Sequence, residues 1–292
     1  MSRRTAAEWG RGAAAPEPAV DVLIGTVGRT AELAVTLAGL AAQDDPPFRV
    51  LVSDQSDGHP AASDPAVQAM FRVLEVQGRQ PRLVRHRPRR GIAEHRDFLL
   101  GQATADAVLF LDDDVWLEPG ALQRLHDALT TLDCGFVGMA PQGLSYLDDR
   151  RPHERRPFEP WDGPVRPERI RRDEPGFERW TLHNAANLVH VAAERSQPER
   201  GWVPYRIAWI GACVLYRRSA LVACGGFGFW RDLPPAHAGE DVVAQWRVME
   251  RYGAAGLLPS GAVHLEAPTT IPNREVDAPD VVFARHDDRL AG

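Results

Sequence analysis

The sequence predicts an α/β protein with a mostly parallel central sheet and helices on both faces. Three observations carry that reading. Apolar runs of strand length recur about every 30 residues from Val20 to Met139, each followed by a stretch with helical spacing. The runs are nearly continuous and rich in β-branched residues, the pattern of strands covered on both faces. The fourth run ends directly in three aspartates, at the strand end where open parallel sheets bind their ligands.

Taken in order, Val20–Gly25 is the first strand, closed by glycine, and Thr30–Ala42 carries the first helical spacing. Phe48–Ser53 and Pro65–Glu75 form the second strand and helix, and Pro81–His86 and Ile92–Gln102 the third. Ala107–Leu111 is the fourth strand, followed by a helix from Pro119 to about Thr131 and a strand at Cys134–Met139. Pro141 to Arg179 is rich in Pro, Arg and acidic residues and has no apolar period, so it is a long loop or insertion, open to reading as a functional lid or a disordered segment. Helical spacing returns from Trp180, with Leu182, Ala186, Leu188, Val189 and Ala192 on one face, and Ala208–Tyr216 reads as a strand. A helix at Arg218–Cys224 stops at Gly225-Gly226, an amphipathic helix runs from Glu240 to about Tyr252, and Leu257–Glu266 is extended. Residues 1–19 read as a flexible N-terminal tail and 268–292 as a C-terminal tail, which leaves a single domain over 20–267. No internal repeat is present.

Composition narrows the function. With 44% hydrophobic and 25% charged residues the chain can bury a core. Its 34 cations are all arginine and face 40 acidic residues, a formal charge of −6, which disfavours a non-specific nucleic-acid binder. Cys134, Cys213 and Cys224 are odd in number and form no CxxC pair, which excludes a disulfide scaffold and a thiolate zinc site and suits a reducing compartment. No secretory h-region and no apolar run of membrane-spanning length occur, so a soluble, cytoplasmic protein is expected.

The strongest chemical signal is Asp112-Asp113-Asp114. Alternation along an extended chain puts Asp112 and Asp114 on one side, where their repulsion calls for a cation, and an oxygen-only set suits Mg²⁺ or Mn²⁺ sharing its coordination with a substrate diphosphate. A solvated acidic turn is the plainer alternative. Gly239-Glu240-Asp241 opens a helix after a Trp230–His237 loop. Acids in a first helical turn are commonly dipole partners, but beside a loop over a cleft such a carboxylate suits a general base.

At these residues the chain resembles the family 2 glycosyltransferases of the GT-A fold, over roughly Val20 to Glu266. Gly25-Thr26-Val27-Gly28-Arg29 is similar to the family's first turn at Thr26 and Arg29, and Asp54 stands where the family's uracil-reading aspartate stands. Gly91 and Arg96 match the glycine and arginine of the next motif, and Asp112 and Asp114 match the metal-binding acid-x-acid (DXD) pair. Tyr216-Arg217-Arg218 through Gly225-Gly226-Phe227, and Glu240, Asp241 and Arg247, follow in the family's order.

The resemblance implies a GT-A nucleotide-diphospho-sugar transferase fold and an inverting, metal-dependent, non-processive transfer of sugar from a nucleotide-diphospho-sugar, UDP-linked by expectation, to an acceptor hydroxyl. It assigns Asp241 and Glu240 to catalysis, and Thr26, Arg29, Asp54, Gly91, Arg96, Asp112 and Asp113 to the nucleotide. Asp112, Asp114 and His264 fall to Mn²⁺ or Mg²⁺. For His264, a single histidine late in the chain, ligand and surface readings are evenly balanced. Among the aromatic residues of the expected acceptor side, Trp230 is the chosen contact, and Gly211 is also assigned to the acceptor or sugar; core packing explains the other aromatics equally well. The acceptor, a small molecule, glycan or lipid-linked molecule, is expected to meet the variable insertion at 141–201. Its Arg150–Arg172 stretch reads as a solvated charged loop or a surface for an anionic acceptor. A nucleotidyltransferase of related fold lacks its glycine-rich lysine loop here, a non-catalytic nucleotide-sugar-binding module would not need Asp241, and an NAD enzyme lacks G-x-G-x-x-G.

Overall fold

A computed structural model describes residues 4–11, 14–196, 199–271 and 274–290. A short helix, α1 (Ala6–Arg11), buries none of its residues. Then come β1 (Val20–Thr26), α2 (Thr30–Ala41), β2 (Phe48–Asp54), α3 (Pro65–Val76), β3 (Arg82–Arg85), α4 (Ile92–Gly101) and β4 (Ala107–Leu111). The first three strand–helix units thus follow the sequence pattern within a residue or two. α3 shows why its start is sharp: Asp64 caps it by accepting from the Ala66 and Val67 N–H groups, and Pro65 takes the first turn, where its missing N–H costs nothing.

The rest comprises β5 (Val115–Leu117), α5 (Ala121–Leu132), β6 (Phe136–Gly138), β7 (Gln142–Gly143), α6 (Asn187–Ala193), β8 (Val203–Tyr205), β9 (Cys213–Arg217), α7 (Arg218–Ala223), α8 (Glu240–Tyr252), β10 (Ala254–Leu258), β11 (Ala262–His264) and α9 (Ala278–Leu290). The large sheet has the order β3-β2-β1-β4-β9-β6-β10-β8, and a small one has β5-β11-β7. β3, β2, β1 and β4 run parallel, as do β6 and β10, while β9 lies antiparallel between β4 and β6.

Alternation along the strands sends Leu23, Leu51, Val108 and Phe110 to one core and Val22, Ile24, Val50, Val52 and Leu109 to the other, so helices cover both faces. Each such side chain contributes about 1.5–3 kcal/mol by leaving water. The chain moves from β1 out to β3 and returns to β4 on the other side of β1. That reversal opens a crevice at the carboxyl ends of β1 and β4.

Three expectations change. The strand expected over Ala208–Tyr216 begins only at Cys213, because Ala212 takes φ +66, a left-handed value that breaks an extended run. The insertion is packed rather than open: Ile170, Leu182, Leu188 and Val191 are buried, and its arginines pair with acids, as in Arg179–Glu168 (2.7 Å) and Arg171–Glu250 (2.7 Å). The segment read as a C-terminal tail instead forms α9, which packs on α8 with Ala278 and Val282 buried. No helix among the described residues is long and apolar enough to cross a membrane.

Candidate active site

The crevice is a cleft of about 680 Å³. Its floor is the acidic turn after β4. The ladder between β4 and β9 ends at Leu111 opposite Cys213, and the Asp112 N–H donates to the Ala212 carbonyl (2.9 Å), which fixes where the turn begins. The chain then crosses into β5, whose partner β11 sets His264 opposite Val115. Sequence neighbours from 112 to 114 and the distant His264 therefore share one wall.

The three aspartates diverge. Asp112 is the exposed one and pairs with Arg96 (3.2 Å). Asp113 is buried and accepts from the Thr26 hydroxyl (2.7 Å) and from Arg29 (3.1 Å); burial pushes its carboxyl up to about 6 against the pull of both. Asp114 receives Arg29 at 2.8 Å and faces His264 Nε2 at 3.6 Å. Burial raises it as well, with His264 opposing. The Glu266 N–H donates to His264 Nδ1 (2.7 Å), which leaves Nε2 turned towards Asp114. Thr26, assigned to the nucleotide, does not line the cleft, because its hydroxyl is bonded to Asp113.

Beyond Arg96, behind the residues that line the cleft, lie the two carboxylates at the start of α8. Arg96 bridges the ends of the site, with Nε 2.9 Å from Glu240 and Nη2 3.2 Å from Asp112. Burial works against its charge, but Glu240, Asp112 and Asp241 outweigh it and hold the guanidinium above its ordinary value. The Asp241 carboxylate accepts the Val242 N–H (2.9 Å) and is also favoured by the Arg96 charge. Burial first and the adjacent Glu240 second push it up to about 7. Its Oδ2 lies 3.9 Å from where a Cβ on Gly211 would stand, so the two residues adjoin.

Of Asp54 and its neighbour Gln55, only Gln55 lines the cleft. Asp54 is fully buried, and its two oxygens accept from the Ser56 and Ala61 N–H groups (2.8 Å each), so it shapes the turn and does not line the cleft. Gln55 does line it, with a buried Nε2 that has no hydrogen-bond partner in the structure. Gly91 lines the cleft at φ +106, and a Cβ there would meet His237 Cε1 at 2.6 Å, so only glycine lets the two loops approach. His237 is itself buried, donating from Nδ1 to the Pro234 carbonyl (2.6 Å) and accepting from the Ala93 N–H (3.2 Å).

Trp230, expected as an acceptor contact, is engaged elsewhere. Its indole donates to Asp97 on α4 (3.0 Å) and packs on the core, away from the cleft. Sequence reading also missed the far wall, where Thr269, Thr270, Ile271 and Arg274 follow β11 and line the cleft. They lie in the stretch read as a tail, where no periodicity marks them. Arg274 donates to Thr269 Oγ1 (3.2 Å) and is drawn electrostatically to Glu240.

Asp112, Asp114 and His264 offer the hard oxygen and imidazole donors that suit Mg²⁺ or Mn²⁺. Among the described residues no three His, Cys, Asp or Glu side chains converge closely enough to hold an ion unaided. That donor set still fits a cation that takes only one or two carboxylates from protein and completes its shell from phosphate and water.

No curated protein sequence matches the chain. Among solved structures, it is similar to the mannosyltransferase PcManGT from Pyrobaculum calidifontis in complex with GDP-Man and Mn²⁺, with a TM-score of 0.53 and 17% identity, covering 91% of this chain and 64% of that one. It is also similar to residues 1–349 of S. aureus TarS in complex with UDP-GlcNAc, with a TM-score of 0.52 and 15% identity, covering 86% of this chain and 60% of that one. This chain therefore spans less than two thirds of either relative's length, and the likeness shows the fold, that of the GT-A glycosyltransferases. The sequence profile described as glycosyl transferase family 2 matches residues 21–194, more than half of the chain. The chain belongs to glycosyl transferase family 2.

Proposed function

We infer that the protein transfers one sugar per encounter from a nucleotide-diphospho-sugar to an acceptor hydroxyl, with inversion at the anomeric carbon. The observation that carries this reading is Asp241: a carboxylate pushed up to about 7, next in the chain to Glu240, which Arg96 links to Asp112 of the acidic turn through two salt bridges. A base with that pKa takes a hydroxyl proton efficiently near neutrality. Attack from Asp241's side on a sugar whose diphosphate lies over Asp112 and Asp114 is a single in-line displacement, hence inversion.

The chain's residues divide the work. Asp241 accepts the acceptor proton, and Glu240, fixed by Arg96, orients the incoming groups. Gln55 offers its unpartnered amide to the nucleobase in the place first expected of Asp54. Arg274, which has no carboxylate within ion-pair distance among the described residues, is the cleft cation free to meet the diphosphate, whereas Arg29 and Arg96 are neutralised by acids. Asp112 and Asp114, with His264 beside them, would hold a cation of the Mg²⁺ or Mn²⁺ class, which would supply positive charge to the departing diphosphate. The solved relatives carry UDP-GlcNAc in one case and GDP-Man with Mn²⁺ in the other. They support a nucleotide-sugar donor and leave the base to be read by experiment.

Calorimetric titration with UDP, GDP and dTDP, with and without Mn²⁺, tests the donor half of this reading. One nucleotide should bind in a metal-dependent way, and Asp114→Ala should lose that dependence. Failure of every nucleoside diphosphate to bind under either condition would overturn it.

A further inference from the structure

A second cavity, about 260 Å³, shares no lining residue with the cleft. It lies between the end of α7, α8, α9 and Arg171 of the insertion, and Arg247 on its wall stands seven residues, about 10 Å, along α8 from Glu240. Three guanidiniums face it, those of Arg171, Arg247 and Arg251, against the single carboxylate of Glu250. Glu250 is already engaged by Arg171 at 2.7 Å and lies 3.7 Å from Arg169 outside the cavity. Arg171 is held flat on Phe283, 3.9 Å from the ring, and Arg251 donates one N–H to the Ala223 carbonyl (3.0 Å).

Arg247 is different. It is half-buried, lies 5.3 Å over the Phe229 ring, and makes no side-chain hydrogen bond to any described residue. Burial lowers its pKa, and Cys224, Asp232 and Glu250 counter that only by charge at a distance. A guanidinium carries five donors, and leaving them without an acceptor in a partly dry pocket is unfavourable. Planar N–H pairs on neighbouring arginines match the oxygens of a tetrahedral oxyanion.

We propose that this cavity is a phosphate-binding site, in which Arg247 and Arg251 donate to the oxygens of a phosphate group and Val282 and Phe283 line the side from which its carbon substituent would extend. The group is that of inorganic phosphate, a soluble phosphate monoester or a lipid phosphate monoester. The site is separate from the donor cleft, and its occupancy does not depend on the transfer reaction.

The test is calorimetric titration of the full chain with inorganic phosphate, against chloride at equal ionic strength, in the wild type and in Arg247→Gln, Arg247→Lys, Arg251→Gln and Arg274→Gln. Phosphate should bind in preference to chloride, Arg247→Gln should weaken it at least tenfold, Arg247→Lys should weaken it less, and Arg274→Gln in the cleft should leave it in place. If circular dichroism shows Arg247→Gln to be misfolded, the exposed Arg251→Gln decides alone. Binding no stronger than chloride overturns the proposal, as does binding that Arg274→Gln removes and the Arg247 and Arg251 variants keep. Co-sedimentation with phosphatidylcholine vesicles only when they contain phosphatidic acid, lost in Arg251→Gln, identifies the lipid source; phosphate binding without it identifies the soluble one.

Discussion

Asp54 and Asp241 carry the same carboxyl in different surroundings, the first saturated by backbone donors and the second not. Asp54 is buried but satisfied by two backbone N–H groups, whereas Asp241 has one N–H and an acidic neighbour, so its charged form is disfavoured. If Asp241 is the base, kcat/KM rises about tenfold per pH unit on the acid side and levels near pH 7, and Asp241→Asn keeps nucleotide binding while losing about 10²–10⁴ in rate. A normal rate in that variant removes Asp241 from the role. The same shift has a stability consequence of definite sign. The folded carboxyl titrates near 7 against an ordinary 3.8, so the stability it permits is full below about pH 4 and is lost as pH rises through 7. Asp241→Asn should therefore raise Tm at pH 8, by ~2–4 °C for each kcal/mol relieved, and change it little at pH 4. Thermal scans at the two pH values check this. The acidic turn and the Glu240-Asp241 pair were legible because acids after a strand and at a helix start are visible one letter at a time. Asp54 against Gln55 was not, since adjacent side chains face opposite ways and only the folded turn says which meets the cleft.

At the scale of elements, long periodic segments were legible and short ones were not. β5, β7, β8 and β11 have two or three residues each, too few to show a period, yet β11 is what delivers His264 to Asp114. The segment before β9 is the clearest case. Instead of extending the strand, residues near Ile210 are held by a side chain of α8: Gln245 accepts from the Ile210 N–H (2.8 Å) and donates to its carbonyl (2.6 Å), acting in place of a neighbouring strand. Both groups are fully buried, so no water replaces the loss. This pair ties α8 to the segment that carries Gly211, which adjoins Asp241. Gln245→Leu should cost about 2–4 kcal/mol by leaving the Ile210 N–H and C=O unpaired, and should lower kcat more than it raises donor KM. Denaturant unfolding and initial rates measure the two effects. Unchanged stability would mean the segment is held by something else.

At the scale of the whole molecule, the cleft is closed by chain from both ends of the sequence order. β1 and β4 give its floor, and on the way from β11 to α9 the chain meets the cleft at Thr269, Thr270, Ile271 and Arg274 and bonds to the loop before Glu240: the Ala238 N–H donates to the Val276 carbonyl (3.0 Å) and the Ala278 N–H to the Ala238 carbonyl (2.8 Å). α9 anchors this crossing through Val282 and through Phe283, whose ring lies 5.7 Å from that of Trp246 in the core. A composition-based reading saw a tail here because the anchoring contacts are few and far apart in sequence, while the helix they secure decides whether the far wall exists. Removing residues 278–292 should therefore have two separable effects. Loss of the Val282 and Phe283 contacts should cost roughly 3 kcal/mol, or about 6–12 °C in Tm. Release of the wall carrying Arg274 should raise donor KM about tenfold at temperatures where the shortened chain is still folded. A shortened chain with lowered Tm but normal donor KM would show that α9 supports the core without shaping the cleft.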